Sequence, residues 1–141
     1  MNEQIMQFLN NLPEPNKIFS LEYTIDENLR TIKLPYDDST IGVEGDKDVN
    51  IVQIRMNRYY NGIDLSTFSI YVNVSKLEEP ILIENKIVKD SLILFTWNVG
   101  QELTNDHGDM YFSVSLVSDE LNKTFNTTSV VLRVLESLKP D

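Results

Sequence analysis

The chain has 141 residues, one histidine, no cysteine and a formal net charge of −10 at pH 7, from 12 Lys+Arg against 22 Asp+Glu. That length suits one domain whose folding hides about 68–70% of the unfolded surface, enough for a core without covalent staples. Without cysteine there are no disulfides, thiolate nucleophiles or Cys-based zinc sites. A pI near 4.5 with no basic run gives neither nucleic acid nor an anionic membrane the positive face it needs.

Residues 1–16 read as a helical arm. Ile5, Phe8, Leu9 and Leu12 fall at i, i+3, i+4 and i+7, one face of a 3.6-residue period, and Pro13 and Pro15 end it. So short a helix is unstable alone in water, so its stripe must pack on its own domain or on a neighbouring subunit. These four side chains are therefore candidate partner-binding residues. Glu3 and the missing Lys or Arg before the apolar residues do not make a secretory signal, and no apolar run nears the roughly 20 residues that span a bilayer. The expected product is soluble and made in the cytoplasm. Asn-x-Ser/Thr triplets at Asn73, Asn122 and Asn126 then read as coincidence in an Asn-rich chain.

From residue 17 to the end, the second unit, the period becomes two. Phe19, Leu21, Tyr23 and Ile25 alternate with polar residues, Asp26-Glu27-Asn28 turns, and Ile32 and Leu34 continue, which predicts a hairpin. Pro35 and the polar stretch 37–40 end it, and Val52, Ile54 and Met56 mark the next strand. A loop over 58–67 containing Asn61-Gly62 leads to the cleanest alternation, Phe68, Ile70, Val72 and Val74. Ile81–Ile83 and Ile87-Val88 are brief strands. Ser91–Trp97 is apolar on both faces, as in a central strand covered twice. After a polar loop over 98–108, Met110, Phe112, Val114 and Leu116 alternate, 119–122 turns, and 123–134 closes as one long strand or a pair. About seven to nine short strands with turn signals between them describe an all-β, immunoglobulin-like antiparallel β-sandwich, with no helix after residue 12. Trp97, beside Phe95, belongs in its core.

Catalytic and metal motifs fail one by one. Glu78-Glu79 and Asp37-Asp38 lie in wet loops where no carboxyl pKa is raised, against what glycoside hydrolysis requires. Asp46-Lys47-Asp48-Val49-Asn50 opens like a calcium loop, yet Ile51 and Asn57 stand where Gly and Glu are needed. His107 has no nucleophile elbow to serve, and no glycine-rich phosphate cradle exists. No enzyme activity, cofactor or metal is expected. Tyr59 and Tyr60 are further candidate partner-binding residues, since tyrosine hides much area at little entropic cost. Tyr59, Tyr60 or Trp97 would also provide the stacking rings of a carbohydrate-binding module for host attachment, the alternative reading.

The order Asn61-Gly62-Ile63-Asp64-Leu65-Ser66, Phe95-Thr96-Trp97-Asn98-Val99-Gly100, Gly108 with Phe112-Ser113-Val114, Phe125-Asn126-Thr127-Thr128, then Val134-Leu135-Glu136-Ser137-Leu138 resembles small β domains of phages and prophages of low-GC Gram-positive bacteria. It is similar in kind to the N-terminal domain of upper-baseplate proteins, over about residues 17–139. The resemblance implies a virion structural component, assembled in the host cytoplasm, present in several copies and docked on other virion proteins. Family members often have Gly where Ser137 stands, and many run on into a receptor-binding region. Ending at Asp141 favours a tail or baseplate adaptor, or a capsid-surface decoration, over host binding.

Overall fold

Along Ser69–Val74 every second side chain, Ile70, Val72 and Val74, is buried, and Met110, Phe112, Val114 and Leu116 repeat the pattern along Gly108–Ser118. Side chains of an extended chain alternate between faces, so each such strand offers one apolar face to a core. The computed structural model describes residues 21–35 and 38–138. The N-terminal arm, with Ile5, Phe8, Leu9 and Leu12, lies outside the described residues.

The strands are β1 (Leu21–Asp26), β2 (Thr31–Lys33), β3 (Thr40–Val43), β4 (Asn50–Asn57), β5 (Tyr59–Tyr60), β6 (Ile63–Asp64), β7 (Ser69–Val74), β8 (Ile81–Ile83), β9 (Lys86–Lys89), β10 (Leu92–Val99), β11 (Gly108–Ser118), β12 (Lys123–Asn126) and β13 (Val130–Leu135). A 3-10 turn, Leu65–Thr67, and one α-helical turn, α1 (Gln101–Thr104), interrupt them. One sheet runs β2-β1-β4-β10-β9; the other runs β3-β13-β11-β7-β8, with β12 also beside β11. The two meet across one core. Phe112 of the second sheet meets Tyr23 of the first edge-on and stacks on Trp97, with both centroid separations 5.8 Å.

The all-β class expected from the sequence is what forms, with four differences. Thirteen strand segments occur among the described residues rather than seven to nine, the surplus being two- to four-residue pieces too short to show alternation. The pairing is not purely antiparallel, because β1 runs parallel to β4 and β3 parallel to β13. The loop after Trp97 contains α1, where no helix was expected. Finally, β10 is an interior strand of its sheet, between β4 and β9, but only Ile93, Phe95, Trp97 and Val99 join the shared core; Leu94 is buried on the other face, paired with Arg55 and Ile87.

The last two strands lie on the same edge of β11 as one strand broken by a bulge. Ser115 pairs with Asn126 but Phe112 pairs with Val130, a slip of one residue. Within the break, the Thr127 N–H donates to the Val114 carbonyl (3.0 Å), while the Val114 N–H donates to the Thr127 hydroxyl (2.9 Å) in place of a backbone carbonyl.

Two polar atoms of the core, the Tyr23 hydroxyl and the Trp97 indole N–H, have no hydrogen-bond partner among the described residues. Burial, with the charge of Asp38 adding to it, pushes the Tyr23 hydroxyl pKa well above its ordinary value. Because an unpaired buried hydroxyl stabilises nothing, Tyr23→Phe should leave stability at pH 7 within about 1 kcal/mol of wild type or raise it. Above pH 10 the unfolded chain ionises this group first, so wild type should lose up to about 1.4 kcal/mol per pH unit that the variant keeps. Urea unfolding from pH 7 to 11 checks both. Phe112→Ala, which removes the ring touching both Tyr23 and Trp97, should cost about 3–5 kcal/mol by the same measurement.

Candidate functional site

Strand directions gather four connections at one end of the two sheets: the β1–β2 turn, residues 58–68, Asp90-Ser91 and the β11–β12 turn. At that end Arg30 joins one sheet to the other. Asp26 accepts the N–H groups of Asn28 and Leu29 (3.0 Å each), which shapes the turn and delivers Arg30 at a left-handed φ of 61°. The Arg30 carbonyl accepts from the Thr128 N–H (2.7 Å) and hydroxyl (2.9 Å), groups that the bulge after β12 sets free. Its guanidinium donates to the Asn126 carbonyl (2.9 Å) and lies 4.1 Å from the Phe125 ring centre and 4.7 Å from that of Tyr60. Tyr60 meets Phe125 edge-on at 5.2 Å. Beside these rings a pocket of about 290 Å³ is lined by Arg30, Tyr60, Ile63, Phe68, Lys123 and Phe125.

The segment expected as a loop over 58–67 is a miniature hairpin followed by a 3-10 turn. Asn61 and Gly62 both take positive φ, 50° and 78°, the twist that a two-residue Asn-Gly turn favours. Arg58 donates to both Asp64 oxygens (3.0 and 2.9 Å), and Asp64 accepts the Ser66 N–H (2.9 Å), capping the 3-10 turn. These bonds, the Arg58 pair first, hold the Asp64 carboxyl far below the usual range. Half-buried Lys86 donates to the carbonyls of Ser66 (2.6 Å) and Phe68 (3.0 Å), and burial lowers its pKa. Of the two candidate tyrosines, Tyr59 is 49% exposed with Arg58 5.2 Å from its ring centre, whereas Tyr60 spends its ring on Phe125. Trp97 is buried, so it cannot be a stacking platform for sugars.

The opposite end explains the acidic motif. Asp46 accepts the Val43 N–H and the Asn50 amide (2.9 Å each), and Asp38 accepts the Thr40 N–H (2.9 Å). The Arg133 N–H donates to the Ser39 carbonyl and the Glu44 N–H to the Leu135 carbonyl, so strand alternation turns the N–H groups of Thr40 and Val43 outward. Both outward donors of edge strand β3 are therefore occupied by carboxylates, which blunts the edge against further strands. A Cβ on Gly42 would sit 2.6 Å from the Asn50 amide nitrogen, so any larger residue there would push the Asn50 side chain out of its bond with Asp46. Glu44 accepts from the His107 backbone N–H (3.3 Å) and lies 3.1 Å from its Nδ1, an interaction that raises the His107 pKa. Among the described residues no group of three or more His, Asp or Glu is placed to hold a metal ion, and no helix is long and apolar enough to cross a membrane. No protein-family model matches the chain, and no curated protein matches it either.

Arg30→Ala should cost about 1–2 kcal/mol, from one hydrogen bond and two ring contacts. Arg30→Gly, which relieves the left-handed strain, should recover up to about 1 kcal/mol of that loss; thermal unfolding of the pair distinguishes the two effects. The bonds from Thr40 to Asp38, and from Asn50 and Val43 to Asp46, lower both carboxyl pKa values. Their stabilisation is therefore complete above the ordinary value of 3.8 and fades as pH falls through the lowered values. The double variant Asp38→Asn, Asp46→Asn should show a flatter decline of the urea midpoint below about pH 4 than wild type does.

Proposed function

We propose that this chain is a phage virion structural protein: an immunoglobulin-like β-sandwich that docks in several copies on other virion proteins of the tail, baseplate or capsid surface, without catalysis. The strand order supports the immunoglobulin-like part. The run β4-β10-β9 follows the B-E-D order of that fold, and β13-β11-β7-β8 follows G-F-C-C′. The parallel pairing of β1 with β4, and a core tryptophan on β10 rather than on β7, are departures from it. The ion pairs and caps support a structural role, since Asp38, Asp46, Asp64, Asp109 and His107 are all engaged in bonds that shape turns, edges and ends.

One observation carries the docking reading. Along the β3–β13 edge, Val43 and Leu135 are register partners and are 37% and 43% exposed, and Leu138 beyond them is 99% exposed. Exposed apolar side chains grouped on one rim mark contact surfaces. The carboxylate caps on β3 mean that this rim engages a partner through side chains rather than by adding a strand. A charge of −10 keeps free copies apart until the specific surface meets its partner.

The chain should be found in purified particles, at a fixed copy number, by mass spectrometry and electron microscopy. Val43→Asp with Leu135→Asp should lower incorporation at least about tenfold, the loss of roughly 1.4 kcal/mol, while circular dichroism stays unchanged. Deleting residues 1–13 tests the arm separately. Absence of the chain from particles would falsify the reading.

A further inference from the structure

The outward face of the β3-to-β8 sheet differs in composition from the rest of the chain. Its central positions are Ser69, Tyr71 and Asn73 on β7, Tyr111, Ser113, Ser115 and Val117 on β11, with Leu82, Thr124, Asn126 and Val131 beside them. None is charged, in a chain where 24% of residues are. The nearest charges on this face, Arg133 and Asp109, are paired with each other (2.9 Å) at its border.

A hydrogen-bonded ladder crosses three strands here. Asn73 donates both amide hydrogens, to the Ser113 (3.2 Å) and Ser115 (2.9 Å) hydroxyls, and Ser115 donates to the Asn126 side-chain oxygen (2.7 Å). What the ladder leaves over is specific. Among the described residues, the Asn73 carbonyl oxygen still accepts, the Ser113 hydroxyl still donates, and the Asn126 amide still donates. Tyr71 lies opposite Ser115, and Tyr111, 56% exposed, lies four residues further along the same strand, about 14 Å away. The strip thus has a ring near each end and fixed, alternating, uncharged donors and acceptors between them.

We propose that this strip binds a neutral oligosaccharide. Each sugar hydroxyl is at once donor and acceptor, so adjacent hydroxyls match an acceptor beside a donor, and the apolar faces of pyranose rings suit tyrosine. An anionic ligand would find no cation on the strip to meet it, and a cationic one no carboxylate. The site is separate from the Val43–Leu135 rim, so it stands whether or not the docking reading holds.

The test titrates the full chain with maltohexaose, cellohexaose and mannohexaose, and with hexagalacturonate as the charged control, following backbone amide shifts by NMR. At least one neutral hexaose should give saturable shifts confined to residues 69–73, 111–117 and 124–126. Tyr111→Ala and, separately, Ser113→Ala with Asn126→Ala should each weaken that affinity about tenfold without altering the fold. No shift with any neutral hexaose at about 10 mM, a concentration that detects millimolar binding, overturns the proposal. So do shifts mapping elsewhere, stronger binding of hexagalacturonate, or shifts of these residues with protein concentration alone, which would assign the strip to a second copy of the chain.

Discussion

Phe112 stands where two otherwise separate sheets must agree. Its ring touches Tyr23 and Trp97 from across the core, so the sheets can close only at the spacing those three rings allow. Everything else inherits that spacing. The registers of β4 with β10 and of β7 with β11 set which side chains reach the middle, and a slip of one residue in either would turn a whole apolar face to water. Among the described residues the Tyr23 hydroxyl and the Trp97 indole N–H find no partner, which shows how strongly packing prevails here: area and shape hold these rings in place.

Closing two sheets at their middle leaves their ends to be secured, and the two ends are secured differently. At one, a single residue serves as backbone acceptor, side-chain donor and ring partner at once, because the bulge after β12 releases Thr128 at the place where Arg30 arrives. At the other, aspartates occupy the outward donors of β3 and the Asp46–Asn50 pair covers Gly42. Turns and edges consume much of the chain's charged chemistry, while an uncharged strip lies across the outside of the larger sheet. Two surfaces of different character follow, an apolar rim and a polar neutral strip, which suit different kinds of contact.

Long alternating runs were legible before folding was considered. Phe68–Val74 and Met110–Leu116 announce their buried faces because one residue in two repeats over enough positions to stand out, and Trp97 its place in the core through the apolar run that it ends. Segments whose partners are distant were not legible. β3 has four residues, one of them glycine, and becomes a strand only because residues 133–135 lie alongside it. The hairpin at Asn61-Gly62 read only as part of a loop, since two-residue flanks carry no period. Arg30 gave no signal at all: a charged residue in a turn looks solvated until Tyr60 and Phe125, far along the chain from it and from each other, close beneath it. Leu94 misled, since a large apolar residue reads as covered by a layer when cross-strand neighbours cover it instead.

The parallel pairing of β3 with β13 has a mechanical consequence. Tension entering at the start of β3 and leaving at the end of β13 pulls the two strands past each other lengthwise, so their shared hydrogen bonds are strained together rather than opened one after another. An antiparallel neighbour loaded in the same way would unzip from one end. The Glu44-to-Leu135 and Arg133-to-Ser39 bonds therefore act as a shear lock between an early and a late segment of the chain, an arrangement that resists stretching more than its few bonds would suggest.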